Sequence, residues 1–293
     1  FSFIGPLVSI KIFLFSLFLG ITALSFYGFK KLLDQLVNES SLNYIPSILF
    51  AFSPFLFNDI IGGSWVMWVS YAFSPIYLIF TLRYFKTGSP KYLLCSLLVS
   101  VFVMIALQHM LLINLLLYLY LFNEVFILRT ESFVSVVKRS VLFFGLMFLI
   151  NLYWILPFSS TIFDFTKQTV LSDGGSHEFD AIRNSRQSFW NILNLGGYFD
   201  RNMYLFALPR TLKNIFYVSV LLAWVAIAWS FVKEKRRIEK QKIAFWLVSL
   251  LVLIILIKGG NRPFSGFTLW LYESLPLMKM FRSPQHWMFV PAF

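Results

Sequence analysis

Polar residues that stand between apolar runs are the candidates for chemistry in this chain, above all Asp59 and Arg282. Arg282 follows Met-Lys-Met-Phe and precedes an apolar, proline-containing run. Its guanidinium can hold a phosphate through two parallel hydrogen bonds, or it can extend toward lipid headgroups. Asp59 precedes Ile-Ile-Gly-Gly. Its carboxylate is a weak candidate for the catalytic base that deprotonates a hydroxyl, and a turn residue is the alternative.

Gln108 and His109 interrupt a second long apolar run. A short turn between two helices explains both residues, because polar groups are tolerated there. A neutral histidine at the edge of a cavity could instead bind a sugar hydroxyl or a phosphate. The residues leave both interpretations open, so Arg282, His109 and Gln108 are the predicted substrate-binding residues.

Metal and cofactor chemistry has no support in the pattern. His109, His177 and His286 share no metal-ligand spacing, and the single cysteine, Cys95, lies in an apolar run. Glycine-rich phosphate loops and metalloprotease motifs are absent from the sequence. We therefore predict no metal site, no cofactor and no disulfide.

The composition indicates a membrane protein. Of 293 residues, 58% are hydrophobic and 13% are charged, whereas soluble domains carry about 25% charged residues. The net charge of +12 would suggest nucleic acid in a soluble protein. Here basic residues in cytoplasmic loops explain it better, so we expect membrane lipids and no nucleic acid as partners.

The hydropathy pattern predicts an all-α, polytopic transmembrane helical bundle with about eight complete spans and the start of a ninth. The predicted spans are Val8–Gly28, Tyr44–Phe57, Trp65–Leu82, Tyr92–Leu107, Met110–Leu128, Val141–Phe158, Asn214–Val232 and Ile243–Ile257. Residues 1–158 and 214–293 form the two sets of transmembrane helices. Residues 159–213 form a long extracytoplasmic loop with interfacial helices, because Phe189, Trp190, Ile192 and Leu193 have helical spacing.

The orientation follows from the lysines and arginines. Connectors on one side contain Lys30 and Lys31, Arg83 to Lys91, Arg129 to Arg139, and Lys233 to Lys242. The short connectors on the other side, Asn58–Ser64 and Gln108-His109, contain none. The positive-inside rule therefore predicts that Asp59, His109, the long loop and Arg282 face away from the cytoplasm.

Three segments resemble the GT-C fold membrane glycosyltransferases, in particular the arabinofuranosyltransferase D and YfhO-like group. The first is Ile45–Pro54, followed by Ala72-Phe73-Ser74-Pro75 in the next span. The second is Asn151–Phe158, which precedes the long loop, and the third is Leu275–Pro284, which contains Arg282. The order and predicted sidedness of these segments are similar to those of the family.

The resemblance implies an enzyme of the cell membrane that transfers a sugar from a lipid-linked donor, a polyprenyl phosphate, to an extracytoplasmic glycan or lipid acceptor. It also implies an acidic base acting on the acceptor hydroxyl and a cation at the departing phosphate. Arg282 matches the family's arginine. The family's catalytic acid lies in the first outer loop, which we expect to precede Phe1, and we expect both ends of the chain to be truncated. That role is therefore not carried over to Asp59.

Two other classes of function remain open. A transporter or flippase for polar lipids would need polar or charged residues at the centres of its spans and repeated halves. Glu124 is the main candidate for a buried acid, but it lies near a span end, and no internal repeat is visible. A non-catalytic membrane partner is the third class.

Overall fold

The structure, a computed structural model, describes residues 10–37, 40–53, 65–173, 237–258 and 265–274, and isolated positions between 218 and 232. All regular structure in these residues is helical. The α-helices are α1 (Ile10–Val37), α2 (Tyr44–Ala51), α3 (Trp65–Thr87), α4 (Pro90–Met104), α5 (Leu107–Phe122), α6 (Phe133–Asp173), α7 (Arg237–Lys258) and α8 (Ser265–Ser274). A 3₁₀ turn, Ser41–Asn43, precedes α2, and a π-helical segment, Asn123–Ile127, continues α5.

Three of these helices are long and apolar enough to cross a membrane: Val66–Thr87, Leu107–Ile127 and Phe133–Tyr153. Shorter apolar helices cover Ser41–Ala51, Pro90–Met104 and Ile243–Ile254. The protein is therefore an all-α membrane protein, and the prediction is confirmed to that extent. The described positions between 218 and 232 are exposed apolar residues.

Several helices extend beyond their predicted ends. Helix α1 includes Lys30 and Lys31 and ends at Val37, and α6 continues through residues 159–173, which the sequence assigned to the long loop. A short helix, α8, lies after the last complete predicted span, Ile243–Ile257. Hydropathy marks only the apolar part of a helix. Charged turns remain helical where ion pairs at i,i+4 support them. The predicted interfacial helix around Trp190 lies outside the described residues.

Short connectors make successive helices antiparallel. Gly88 and Ser89 join α3 to α4, Ile105 and Ala106 join α4 to α5, and residues 128–132 lead into α6. Arg83 Nε donates a hydrogen bond to Gln35 Oε1 (2.9 Å), so α1 and α3 run parallel and end together. The bundle thus has a basic end, which carries Lys30, Arg83 and Arg139, and an opposite end at Ile105, here called the His109 end.

The core combines large aromatic side chains with aliphatic ones between closely packed helices. Trp68, Tyr71 and Tyr77 of α3 are fully buried. Close approach depends on a small residue: a Cβ at Gly28 of α1 would lie 3.1 Å from Ile76 Cγ1 of α3. Small residues at such crossings favour association of helices in membranes, so Gly28 positions α1 against α3.

Arg139 of α6 closes the basic end of the α3–α4 hairpin. Its Nη1 donates a hydrogen bond to the carbonyl of Phe85, in the last turn of α3, and Glu131 Oε2 lies 3.9 Å from the same nitrogen. A cation suits this place, because the last carbonyls of a helix are unpaired and carry partial negative charge. Gly88 follows α3 with φ of +69°, and a Cβ there would lie 3.5 Å from Arg139 Nε.

Gly88→Ala tests this turn. We expect a loss of about 1 to 2 kcal/mol in the free energy of unfolding, because side chains are strained at positive φ. The measurement is thermal unfolding of the purified protein in detergent. Gly145→Ala is the matched control: Gly145 is helical, and a Cβ added there would have no neighbouring atom within 4 Å, so stability should stay the same or rise. Equal unfolding temperatures for the two variants would show that a side chain at position 88 does not strain the turn.

A second polar cluster joins α1 to the start of α2. Asp34 Oδ2 accepts a hydrogen bond from Lys30 Nζ (2.8 Å), and Asp34 Oδ1 accepts one from Asn43 Nδ2 (2.9 Å). The hydrogen bond from Lys30 and then that from Asn43 lower the pKa of Asp34 below its ordinary value of 3.8. The ionised carboxylate is therefore favoured in the folded state.

Because the folded-state pKa is depressed, Asp34 stabilises the protein above pH 3.8. This contribution is lost as the pH falls below 3.8 and through the folded-state pKa. We expect the midpoint of thermal unfolding to fall more steeply with pH in this window for wild type than for Asp34→Asn, whose side chain does not titrate. Parallel curves for the two proteins would show that the cluster does not couple protonation to folding.

Candidate functional site

Buried polar side chains from several helices meet at the His109 end. This polar layer comprises Ser53 after α2, Ser70 and Tyr71 of α3, Ser100 of α4 and Asn151 of α6, and His109 of α5 is buried at the same end. Ser53 is 2% exposed and the others are fully buried. Polar groups are costly in an apolar interior unless they are hydrogen-bonded, so their partners decide what the layer can do.

Helix α3 supplies the centre of the layer. Ser70 Oγ donates a hydrogen bond to the carbonyl of Val103 in α4 (2.8 Å), whereas Ser74 Oγ donates within its own helix to Ser70 O (2.7 Å). Pro75 follows and lacks the N–H that would bond Tyr71 O in a regular helix. Next to the polar layer, α3 therefore makes one backbone hydrogen bond fewer than a regular helix of the same length.

Tyr71 fastens the short helix α2 to this end. Its hydroxyl donates to the carbonyl of Phe50 (3.0 Å) and lies 3.4 Å from Ser53 Oγ. Its ring stacks on Phe50 at 4.2 Å between centroids, and Phe50 stacks on Phe29 of α1 at the same distance. Stacked aromatic pairs add stability beyond their buried area, so α2 is held between α1 and α3.

Asn151 fastens α6 to the layer. Its Nδ2 donates to Met147 O (2.8 Å) and lies 3.4 Å from Ser100 Oγ of α4. About two turns nearer the bundle centre, Tyr77 Oη donates to Asn114 Oδ1 of α5 (2.8 Å). The bond from Asn151 to Ser100 and the bond from Tyr77 to Asn114 join different helices, and such bonds hold membrane helices together.

The structure positions the predicted residues Gln108 and His109 in the first turn of α5. The turn itself lies at Ile105 and Ala106, and α5 begins at Leu107. Gln108 is half-buried and His109 is fully buried. The pair therefore adjoins the predicted turn, and the imidazole is buried at this end of the bundle with no surface open to solvent.

The other predicted site residues, Asp59 and Arg282, lie outside the described residues, as do His177 and His286. Whether Arg282 lies near His109 therefore stays a prediction. Within the described ranges, no group of three His, Cys, Asp or Glu side chains could hold a metal ion.

Sequence reasoning missed most of the polar layer. Ser70, Ser74 and Thr81 recur at helical spacing within α3 and are all buried, which was a signal that one face of this helix meets other helices. Asn114 and Asn151 were also visible as single amides inside apolar runs. Intramembrane polar residues usually face the bundle interior, and here they do.

An apolar cavity of about 260 Å³ lies near the basic end, between α1, α3, α5 and α7. Its walls include Leu32 and Leu36 of α1, Leu82 of α3, Leu117 of α5, and Trp246 and Leu253 of α7. An empty apolar space is costly, at about 24 cal/mol for each Å³ left unfilled. The cavity therefore suits an apolar occupant, and at this size a single hydrocarbon chain fits better than a bulky ligand.

Tyr77→Phe tests the bond that links α3 to α5. We expect the free energy of unfolding to fall by about 0.6 to 2 kcal/mol, because Asn114 loses its donor in an apolar setting. Thermal unfolding in detergent measures it, and Tyr153→Phe is the control because Tyr153 is 66% exposed. If both variants unfold at the wild-type temperature, the hydroxyl does not contribute to stability.

Comparison with known proteins adds no assignment. No protein-family model, curated protein or solved structure matches this chain. Its function is therefore inferred from its own residues and from the contacts between them.

Proposed function

We propose that this protein is a multi-pass glycosyltransferase of the cell membrane, of the GT-C type. It transfers a sugar from a polyprenyl-phosphate donor to an extracytoplasmic glycan or lipid acceptor. The observation that carries the proposal is the polar layer, in which groups from α3, α4 and α6 are bonded at the end opposite the basic helix ends, where His109 of α5 is also buried.

Two segments of the resemblance lie on helices that form this layer. Ala72–Pro75 belongs to α3 directly after Ser70 and Tyr71, and Asn151–Phe158 begins with the asparagine beside Ser100. The likeness therefore involves residues that build one end of the bundle. The third segment, which contains Arg282, lies outside the described residues.

The proposed topology has eight to nine spans, on the count of about eight complete spans made from hydropathy. The basic end faces the cytoplasm under the positive-inside rule, and the His109 end faces outward. The extracytoplasmic loop with its interfacial helices then lies within residues 159–213, of which residues 159–173 continue α6.

The proposed reaction is displacement at the anomeric carbon of the donor. The acceptor oxygen forms the new glycosidic bond while the bond between the sugar and the phosphate oxygen breaks and its electrons leave with the phosphate. The acceptor proton passes to a carboxylate, for which Asp59 is a weak candidate. Arg282 holds the departing phosphate, since a fixed guanidinium stabilises charge that develops there. His109 and Gln108 support the substrate side of the layer.

A transporter or flippase for polar lipids is the second candidate, because buried polar side chains do occur deep in the bundle. Among the described residues, the buried polar ones include no aspartate, glutamate, lysine or arginine. Tyr77, Asn114 and Asn151 bond to side chains or helix carbonyls around them. Glu124 is half-buried in the π-helical segment and bonded by Thr130. Groups engaged in this way connect helices and do not form a hydrated path, so we favour the transferase.

Arg282→Ala in the full-length protein tests the proposal. Membranes receive radiolabelled polyprenyl-phospho-arabinofuranose or polyprenyl-phospho-mannose, and transfer to endogenous acceptor is measured. We expect a loss of about 100-fold, as for removal of a group that stabilises developing charge, with partial recovery in Arg282→Lys. Lys138→Ala, at an exposed lysine of α6, should transfer at the wild-type rate.

Expression of each variant is matched by immunoblot. Unchanged transfer in Arg282→Ala would remove the phosphate role from this arginine. Absence of transfer by the wild-type protein from either donor would contradict the proposed reaction.

A further inference from the structure

The apolar cavity near the basic end lies away from the polar layer that the proposed reaction uses. Its lining residues at the basic end are Leu36, the next-to-last residue of α1, and Tyr120, near the end of α5. Leu36 is 42% exposed, whereas Leu32, Leu82 and Leu117 are buried. The cavity therefore opens at Leu36 and is closed toward the bundle centre.

Cations stand at this opening. Gln35, beside Leu36, accepts the hydrogen bond from Arg83, and Arg83 follows the lining residue Leu82 directly. Lys86 lies one helical turn beyond Leu82. Arg83 and Lys86 are both exposed, so their charges are available to a ligand at the surface.

The acids described at the same end do not neutralise these two cations. Asp34 is paired with Lys30 at 2.8 Å, and Glu131 lies 3.9 Å from Arg139. Glu124 accepts a hydrogen bond from Thr130 and lies close to the lining residue Tyr120, so it places one carboxylate near the cavity against the two cations Arg83 and Lys86. The opening therefore has an excess of positive charge beside an apolar interior, which complements a molecule with an anionic head and a hydrocarbon chain.

We propose that the cavity binds one acyl chain of an anionic phospholipid from the leaflet at the basic end. The chain enters at Leu36 and contacts Leu82 and Leu117, and Arg83 and Lys86 hold the phosphate. The lining has few polar members, Tyr120 and Ser249 among them, so a chain gains apolar contact and displaces no ordered polar network. This binding is independent of the proposed glycosyl transfer.

Native mass spectrometry of the purified full chain tests the proposal. The protein is exchanged from detergent into mixed micelles with dioleoylphosphatidylglycerol or dioleoylphosphatidylcholine, which share the same chains, and retained lipid is counted. We expect one phosphatidylglycerol to be retained in preference to phosphatidylcholine. Arg83→Gln and Lys86→Gln should each lower that preference about fivefold, and Lys138→Gln should leave it unchanged.

A second pair of variants tests the position of the chain. Leu36→Trp narrows the opening and should abolish retention, whereas Leu98→Trp, at a position that is 57% exposed on α4, should retain the lipid. If Leu36→Trp does not yield a monodisperse protein, the variants at the exposed Arg83 and Lys86 decide the result.

Three results would overturn the proposal. Equal retention of the two phospholipids would show that an anionic headgroup is not selected. Retention of phosphatidylglycerol by Leu36→Trp would show that the lipid does not bind in the cavity. Preferential retention of undecaprenyl phosphate over phosphatidylglycerol would show that the cavity binds a prenyl chain and not an acyl chain. The transfer assay with Arg282→Ala measures sugar transfer and not lipid retention, so either proposal can be contradicted without affecting the other.

Discussion

Hydrogen bonds that buried polar side chains make to neighbouring helices determine how this bundle is assembled. The bond from Ser70 to Val103 fixes α3 against α4, and the bond from Tyr77 to Asn114 fixes α3 against α5. Hydrocarbon surfaces alone do not choose one arrangement of helices in a membrane, because lipid is as apolar as leucine. Hydrogen bonds are directional, so a few of them at different levels of the bundle select one arrangement. Aromatic and aliphatic core residues fill the space between them.

The two ends of the bundle differ in the chemistry that they present. At the basic end, arginine and lysine meet helix C-termini and carboxylates, as in the contacts of Arg139 with Phe85 and of Lys30 with Asp34. At the His109 end, the groups are hydroxyls, amides and an imidazole, and they are buried. Charge is suited to headgroups and water, whereas neutral polar groups tolerate a drier place. The proposed transferase chemistry uses the buried polar groups of the His109 end, and the proposed phospholipid binds at the basic end.

The helices could be predicted from sequence much better than their ends or their contacts. Long apolar runs mark α3, α5 and α6 because the membrane interior demands them. Lys30 was assigned to a connector, and the structure has it inside α1, because its partner Asp34 sits one turn later. His109 was recognised as unusual from its neighbours, but its complete burial depends on helices distant in sequence. Asn151 and Ser100 are 51 residues apart, and no local pattern shows that they meet.

The contact between Arg139 and the end of α3 also bears on biosynthesis. Helices α3 and α4 form a hairpin that leaves the ribosome before α6, the helix that contains Arg139. Until α6 arrives, the carbonyl of Phe85 lacks this donor and Gly88 is uncovered. Chains generally fold from the N-terminal side during synthesis. Synthesis of α6 therefore completes the contacts of a helix pair that was made earlier. A nascent chain stopped before residue 139 would contain this pair without the hydrogen bond from Arg139 to Phe85.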